Sequence, residues 1–183
     1  RYNRHRLVQP RWFSVLGLRK GHYLLLTLNR RDLLAKRTVL RDLLQTLLDK
    51  TGDLPIVAPL HPYVEEAIKS LAISSPRLHI LPPQSYLHFG FLINQATGIV
   101  TDSGNIAEEA TFLDVPCITL NTYAEHPETW RNGTNELAGE NTLALSQLLE
   151  RLMNGEWKHC TTLPERWDGR TAERIVQTLL EGY

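Results

Sequence analysis

The sequence lacks the features of a membrane-spanning or disulfide-stabilised protein. Its two cysteines, Cys117 and Cys160, have neither the spacing of metal ligands nor the number needed for a disulfide framework. No apolar run approaches the ~18 residues of a membrane span, and the opening residues do not have the pattern of a secretory signal peptide. We therefore expect a cytoplasmic protein in a reducing compartment, with no membrane partner.

The sequence also lacks a net charge. Its 20 basic and 20 acidic side chains cancel, which argues against the global field of a nucleic-acid-binding protein, so we expect no nucleic-acid partner. The first twenty residues are locally basic, and we interpret that patch as a solvated linker rather than a binding site. With 183 residues, 42% of them hydrophobic, the chain is long enough for one well-packed domain and short for two.

What the sequence does have is a regular alternation of short apolar strands and helical segments. The predicted strands are Tyr23–Leu28, Pro55–Leu60, Leu78–Leu81, Ile99–Thr101 and Pro116–Leu120. The predicted helices are Thr38–Leu48, Pro62–Leu71, Tyr86–Ala96, Ile106–Leu113, Thr142–Met153 and Thr171–Leu180. Strands that are apolar on both faces and separated by helices predict an α/β fold with a doubly wound parallel sheet, of about six strands. In such a fold, ligands bind outside the carboxyl ends of the strands.

The most informative motif is a polar turn, Thr-Asp-Ser-Gly, that leads from a buried strand into a helix. Unpaired N–H groups and the positive end of the helix dipole favour a phosphate at Ser103 and Gly104. One turn further on, Glu109 can accept hydrogen bonds from ribose hydroxyls. The turn has neither the Gly-x-Gly-x-x-Gly fingerprint nor a Gly-Lys-Ser/Thr motif, so an ordinary capped helix remains the alternative interpretation.

Other polar residues follow the predicted strands at the same edge of the sheet. They are Asn29 and Arg30 after the first strand, His61 after the second, Gln84 and Ser85 after the third, and Glu125 and His126 after the fifth. Each has a simpler interpretation as well: a backbone-bonded histidine at His61, a helix start at His126, and a solvated loop at Arg30. Phe89 fits either a helix core or a contact with a nucleotide base.

A longer series of motifs occurs in order along almost the whole chain. The series comprises Leu26-Thr27-Leu28-Asn29-Arg30-Arg31, His61-Pro62, Leu81-Pro82-Pro83 with Tyr86-Leu87-His88-Phe89, Thr101-Asp102-Ser103-Gly104 with Glu108-Glu109, Val115-Pro116-Cys117, Glu125-His126-Pro127-Glu128, Gly133-Thr134-Asn135, and Trp167-Asp168-Gly169-Arg170 with Ala172-Glu173-Arg174-Ile175. From about residue 16 to the end, the chain resembles the C-terminal half of a bacterial UDP-N-acetylglucosamine 2-epimerase.

The resemblance implies two Rossmann-like domains in the GT-B arrangement, with the active site in the cleft between them. In this family UDP is eliminated from the sugar and then added back to give the manno epimer, which supplies sugar nucleotides for polysaccharide biosynthesis. The nucleotide-binding residues carried over by the resemblance are Arg30, Phe89, Ser103, Gly104, Asn105, Glu109 and His126. No residue of this half is assigned a catalytic role, and we expect no metal and no cofactor. The acid and base carboxylates are expected from the other domain.

Three residues depart from the family pattern. Asn29 stands where the family has His, and a neutral amide has no tunable proton to give. Asn105 replaces the second Gly of a Ser-Gly-Gly turn, where we expect its tolerance of positive φ to preserve the turn. His126 replaces an Arg that would grip a diphosphate. Each lost charge-assisted contact is expected to weaken UDP binding by on the order of 1.5–3 kcal/mol.

Three hypotheses follow from the resemblance and its departures. The first is the UDP-binding half of an epimerase, with residues 1–20 as an interdomain connector and 21–183 as the binding domain. Its expected partners are UDP, a UDP-amino sugar, a missing N-terminal Rossmann-like domain and a possible second copy in a homodimer, and we expect the half alone to be inactive. The second hypothesis is a degenerate nucleotide-sugar-binding module. The third is the donor-binding half of a UDP-sugar glycosyltransferase, which the Thr-Asp-Ser-Gly and Gly-Thr-Asn patterns disfavour.

Overall fold

A six-stranded parallel sheet forms the centre of the protein in the computed structural model, which describes residues 4–160 and 163–181. Every pair of neighbouring strands is parallel, and the strand order is β3-β2-β1-β4-β5-β6. The strands are β1 Leu24–Thr27, β2 Ile56–Pro59, β3 Leu78–Leu81, β4 Gly98–Thr101, β5 Cys117–Thr119 and β6 Asn135–Leu137. The prediction of a doubly wound α/β fold is therefore confirmed.

Helices connect the strands and cover the sheet. They are α1 Arg11–Val15, α2 Arg31–Ala35, α3 Arg37–Lys50, α4 Pro62–Lys69, α5 Tyr86–Gln95, α6 Gly104–Leu113, α7 Pro127–Arg131, α8 Thr142–Met153 and α9 Thr171–Glu181, with a short 3₁₀ turn at Arg4–Arg6. The predicted long helices are all present, with ends that differ by two residues or fewer. Pro62 and Pro127 each lie in the first turn of a helix, where proline costs no hydrogen bond.

Side chains alternate across each strand, so the sheet has a hydrophobic core on both faces. From β1, Leu24 and Leu26 enter one core together with α3, α4 and α8. Leu25 points the other way and joins Tyr23 in a second core with α5 and α6. Tyr23 is fully buried, and its hydroxyl donates to the Leu92 carbonyl oxygen at 2.5 Å. Cys117 of β5 is also fully buried in this second core.

The edge strand β6 was not located from the sequence, although a sheet of about six strands was expected. Its three residues read Asn-Glu-Leu, which has no apolar run. Backbone and side-chain hydrogen bonds to β5 hold the strand in place. One of them runs from the Thr119 hydroxyl to Asn135 Oδ1 at 2.5 Å. The turn before β6 needs a glycine, since a Cβ at Gly133 would lie 2.5 Å from the Thr129 carbonyl oxygen.

The segment before β1 packs onto the domain. Phe13 is buried between Tyr23 and Phe91, with ring centroids 5.6 and 5.3 Å away in edge-to-face geometry. Leu18 is buried in the same core, while Arg11 and Lys20 are exposed. These two basic side chains are therefore solvated, whereas Phe13 and Leu18 complete the second core. Its role as an interdomain connector stays a prediction.

The last helix, α9, has the opposite character. Its apolar side chains Ile175, Val176, Leu179 and Leu180 are 54 to 82% exposed. Ion pairs join its N-terminal region to the preceding segment: Arg174 pairs with Asp168, and Arg170 pairs with Glu173. Within the described residues, no helix is long and apolar enough to cross a membrane.

Candidate functional site

The site lies at the carboxyl ends of β1 and β4, which are neighbours in the middle of the sheet. The chain leaves β1 toward β2 on one side and leaves β4 toward β5 on the other, so the strand order reverses between them. This reversal opens a crevice, and ligands of doubly wound sheets bind in such a crevice. The predicted residues after β1, β4 and β5 come together here.

Asp102 ties the two strand ends together. Its carboxylate accepts hydrogen bonds from the Asn29 N–H at 2.8 and 3.0 Å and from the Arg30 N–H at 2.8 Å. In return, Arg30 Nε donates to the Asp102 carbonyl oxygen at 2.8 Å. Asp102 is only 1% exposed, and burial raises its pKa while the donors from Asn29 and Arg30 act to lower it. No local pattern predicts this role, because β1 and β4 are far apart along the chain.

The start of α6 already holds a carboxylate of the protein itself. Glu125, in the loop between β5 and α7, accepts a hydrogen bond from the Gly104 N–H through Oε2 at 3.1 Å. Its other oxygen, Oε1, pairs with the Arg30 guanidinium. Arg30 also donates to the Tyr123 hydroxyl at 3.3 Å, and its guanidinium carbon lies 5.6 Å from the Tyr123 ring centroid. An anion is thus bound where the sequence predicted a phosphate.

The turn itself matches the prediction in outline and differs in one detail. Ser103 is extended and precedes α6, its side chain makes no capping bond to the helix, and its N–H donates to the Thr101 hydroxyl at 3.0 Å. Gly104 is buried under the Glu125 side chain, because an added Cβ would lie 2.8 Å from the Glu125 Cβ. Asn105 is in the first turn of α6 and does not have a positive φ. The expectation that its tolerance of positive φ preserves the turn is therefore wrong, since a helical residue needs no such tolerance.

Glu109 borders a broad groove of about 1360 Å³ between α5, α6 and the segment before α9. From α5, the residues Tyr86, Leu87 and Gly90 line it. Burial raises the pKa of Glu109, and the neighbouring Glu108 carboxylate raises it further. Gly90 allows the N-terminal segment to approach, because a Cβ there would lie 2.8 Å from Leu7 Cδ2.

Phe89 is not among the residues of α5 that line the groove. It is half-buried and packs against the second core, the core that contains Leu92 and Ile93. The aromatic side chain of α5 that borders the groove is Tyr86, which is 70% exposed. The role of Phe89 at a base stays a prediction, whereas Tyr86 is the aromatic residue of α5 that borders the groove.

The Asn29 side chain bonds to a residue of α4. The Tyr63 hydroxyl contacts Asn29 Oδ1 and also donates to the Asn29 carbonyl oxygen at 3.2 Å. The Tyr63 ring stacks on His61, with centroids 5.8 Å apart and planes 12° from parallel. His61 is exposed and lies on the β2 side of the crevice, away from Gly104.

His126 begins the short helix α7 and meets α6. Its carbonyl oxygen accepts bonds from the Thr129 N–H at 3.0 Å and the Thr129 hydroxyl at 2.7 Å. Its Nδ1 lies 3.3 Å from Glu108 Oε1. Glu108, His126 and Glu128 each offer a donor atom within 4.8 Å of the others, close enough to share one cation. The expectation of no metal stays a prediction.

Sheet order and crevice together define a Rossmann-like domain of the kind that forms half of a GT-B architecture. The family model described as UDP-N-acetylglucosamine 2-epimerase matches residues 3–180. The chain therefore belongs to the UDP-N-acetylglucosamine 2-epimerase family.

Individual relatives agree with this assignment. The UDP-N-acetylglucosamine 2-epimerase of Methanocaldococcus jannaschii is 33% identical over 169 residues, covering 87% of this chain and 45% of the relative. The crystal structure of the M. jannaschii enzyme in complex with UDP-GlcNAc and UDP matches with a TM-score of 0.75 at 31% identity, covering 92% of this chain and 48% of that one. The S. aureus MnaA–UDP structure matches with a TM-score of 0.77 at 26% identity, covering 95% and 48%. The chain thus spans about half the length of the relatives it matches.

A glycosyltransferase shares the fold alone. The E. coli heptosyltransferase WaaC with ADP-2-deoxy-2-fluoro heptose matches with a TM-score of 0.53 at 19% identity, covering 80% of this chain and 45% of that one. The likeness reflects the shared layout of helices around a parallel sheet.

Proposed function

We propose that this chain is the UDP-binding half of a UDP-N-acetylglucosamine 2-epimerase, which interconverts UDP-GlcNAc and UDP-ManNAc by eliminating UDP and adding it back. The observation that carries the proposal is the anion site at the start of α6, where the Gly104 N–H and Arg30 both contact a carboxylate. Two of the solved structures that match the chain hold UDP, and the M. jannaschii enzyme also holds UDP-GlcNAc. A diphosphate would use the same donors as the carboxylate does.

The diphosphate would lie across the first turn of α6. Helix N-termini attract anions because their first N–H groups are unpaired and the helix dipole is positive there. The first turn of α6 contains no acidic residue that would oppose a phosphate. The Ser103 hydroxyl makes no capping bond and can donate to a phosphate oxygen. Arg30, one strand away, would add a permanent positive charge.

The nucleoside would extend from this turn into the groove beside Glu109. A carboxylate is a suitable acceptor for the two ribose hydroxyls, and Glu109 lies about a turn and a half along α6 from Gly104. Tyr86 offers an exposed ring at the groove wall, against which a base can stack. Glu109 therefore connects the anion site with the groove.

This arrangement suits the elimination step. When the sugar C1–O bond breaks, its electron pair leaves with UDP, and a base takes the proton from C2. Negative charge builds on the departing diphosphate, so the N–H groups and Arg30 stabilise the transition state more than the ground state. The base, and the acid that returns a proton to the opposite face of C2, are assigned in this proposal to the other domain of the complete enzyme.

A second candidate is a non-catalytic nucleotide-sugar-binding module. It is favoured by Asn29, which stands at the family's His position and bonds to Tyr63. His126 adds to this, because it faces Glu108 and is a weaker phosphate ligand than an arginine. Both substitutions reduce the positive charge available to a leaving diphosphate.

Titration calorimetry of the chain with UDP, UDP-GlcNAc and UMP tests the binding proposal. We expect saturable binding of UDP and UDP-GlcNAc that weakens as salt is raised. In Glu109→Ala we expect the affinity for UDP to fall at least tenfold, which corresponds to about 1.4 kcal/mol of binding free energy. Glu150→Ala, on an exposed helix surface where Glu150 pairs with Lys50, is the matched control and is expected to bind normally. Absence of UDP binding at millimolar ligand would refute the proposal for this chain.

A separate assay distinguishes the enzyme from the module. The chain is combined with the N-terminal half of an epimerase of this family, and UDP-ManNAc is followed by chromatography after addition of UDP-GlcNAc. Product formation supports the epimerase. UDP binding without product, and product restored by Asn29→His, would support the non-catalytic module.

A further inference from the structure

Glu125 occupies the anion site in a way that competes with any phosphate. One carboxylate oxygen accepts the Gly104 N–H at 3.1 Å, and the other pairs with Arg30. These are the two groups that the proposed diphosphate would use. A carboxylate and a phosphate cannot share one N–H and one guanidinium face without strong repulsion.

We infer that Glu125 is an internal competitor that holds the anion site and Arg30 until a nucleotide diphosphate displaces it. The inference rests on the proposed function and assigns to Glu125 a role in setting how tightly and how selectively that site binds. The bound state would exchange one anion for another, so Arg30 and the start of α6 would never be without a negative partner.

The location of Glu125 suits a movable side chain. Thr122, Tyr123 and Glu125 are exposed members of the loop between β5 and α7. The ion-paired side chains of Arg30 and Glu125 are 34 and 32% exposed. The loop can therefore shift without opening either core, as surface loops generally can.

The other contacts of Arg30 allow this exchange. Arg30 Nε stays bonded to the Asp102 carbonyl oxygen at 2.8 Å, and the Arg30 N–H stays bonded to the Asp102 carboxylate at 2.8 Å. Only the outer guanidinium nitrogens face Tyr123 and Glu125. Departure of Glu125 thus frees part of a guanidinium that Asp102 continues to hold in position.

Gly104 has a matching role. It is buried under the Glu125 side chain, with an added Cβ only 2.8 Å from the Glu125 Cβ. Because glycine has no side chain, Glu125 can approach the Gly104 N–H closely. For the same reason a phosphate could approach this N–H once Glu125 has left.

The competition predicts that removing the charge strengthens nucleotide binding. An internal competitor lowers the apparent affinity by the fraction of molecules in which the site is open. In calorimetry at one fixed salt concentration, we expect Glu125→Gln to bind UDP about tenfold more tightly than the unchanged chain. A residue that instead contacted UDP directly would lower the affinity when substituted.

Two further variants keep the measurement interpretable. Glu150→Gln makes the same change of charge and breaks one comparable ion pair, with Lys50, at the opposite edge of the sheet, and its affinity should match that of the unchanged chain. Glu125→Ala, which also removes the side chain from Gly104, should bind UDP at least as tightly as Glu125→Gln. Thermal unfolding of each variant checks that the fold is retained.

The outcomes separate this inference from the proposed function. Tighter binding in both Glu125 variants than in the unchanged chain supports the inference. Equal or weaker binding in the Glu125 variants, with clear binding by the unchanged chain, overturns the inference and leaves the proposed function standing. Absence of UDP binding in every variant overturns both.

Discussion

The two edges of the sheet are built from the same alternation of strand and helix, yet they differ in what their loops contain. At the carboxyl edge, Asp102 is buried among backbone N–H groups, and Glu125 bridges Arg30 and α6. At the amino edge, Gly21 and Gly52 make open turns at positive φ, with no other atom near their missing Cβ positions. At the first edge buried or half-buried carboxylates accept from backbone N–H groups, whereas at the second edge the Arg77 guanidinium donates to the Leu48 and Leu54 carbonyl oxygens.

This difference follows from the direction of the helices. Each helix that follows a strand begins at the carboxyl edge, so its unpaired N–H groups collect there. Carboxylates that satisfy these donors become partly buried, and each then needs further partners. At the amino edge the helices end in carbonyl groups, one of which, that of Leu48, accepts from the Arg77 guanidinium at 2.8 Å. Substitutions at the two edges should therefore have unequal effects.

The largest effect is expected from Asp102→Ala. It leaves the Asn29 and Arg30 N–H groups without their buried acceptor and frees the end of β1 from β4. We expect a loss of about 3 kcal/mol in the free energy of unfolding, measured by urea denaturation. Asp53→Ala, in the exposed turn after Gly52, should cost no more than about 0.5 kcal/mol. Equal losses at Asp102 and Asp53 would remove the contrast between the edges.

Arg30→Gln tests the charge at the carboxyl edge. It removes the ion pair with Glu125 and the cation proposed to contact the diphosphate. We expect UDP affinity to fall at least tenfold, in line with about 1.5–3 kcal/mol for a charge-assisted contact. Lys50→Gln removes an ion-paired lysine at the other edge and should leave the affinity within twofold. UDP binding unaffected by Arg30→Gln would argue against the anion site.

His126→Arg restores the residue that the family pattern has at this position. An arginine there has a permanent positive charge near α6 and a planar group that can bind a diphosphate through two hydrogen bonds. We expect a three- to tenfold gain in UDP affinity, or roughly 1 kcal/mol, measured by calorimetry at low salt. The gain should shrink as salt is raised. A loss of affinity would mean that the contact between His126 and Glu108 is itself needed for binding.

The smallest effect concerns the pH dependence of stability at Glu109. Burial raises the pKa of Glu109 in the folded chain, so the folded state binds this proton more tightly than the unfolded state does. The stabilising contribution is complete below the ordinary carboxyl pKa of about 4.3 and is lost as pH rises through the raised pKa. Relative to Glu109→Gln, the unchanged chain should lose stability over that window. A difference that grows in the opposite direction would contradict the raised pKa.

Much of the fold could be predicted from the sequence because β1, β2 and β4 are continuous apolar runs. The edge strand β6 could not, because it is held by polar bonds to a neighbouring strand rather than by apolar side chains. The five-residue helices α1 and α2 were also missed, since so short a segment shows no helical period. Their formation depends on tertiary contacts.

The candidate site was predicted in part for a related reason. Ser103, Gly104 and Glu109 follow from a local motif, and local motifs are visible along the chain. The contacts of Asp102 and Glu125 join separate strand ends, so they depend on a strand order that the sequence does not contain. The orientation of Phe89 could not be predicted either, because α5 is apolar nearly all round and has no clear polar face.

The burial of Cys117 allows unfolding of the chain to be followed through the reactivity of a native thiol. The side chain is 0% exposed, and burial raises the pKa of its thiol to about 12. A thiol-modifying reagent must reach the sulfur atom and reacts with its thiolate form. While the sheet is intact, the Cys117 sulfur is neither accessible nor ionised. Consumption of this thiol therefore records the moments when the sheet opens, without any label being introduced. The same kinetics, followed with and without UDP, would give the strength of nucleotide binding from the slowing of those openings.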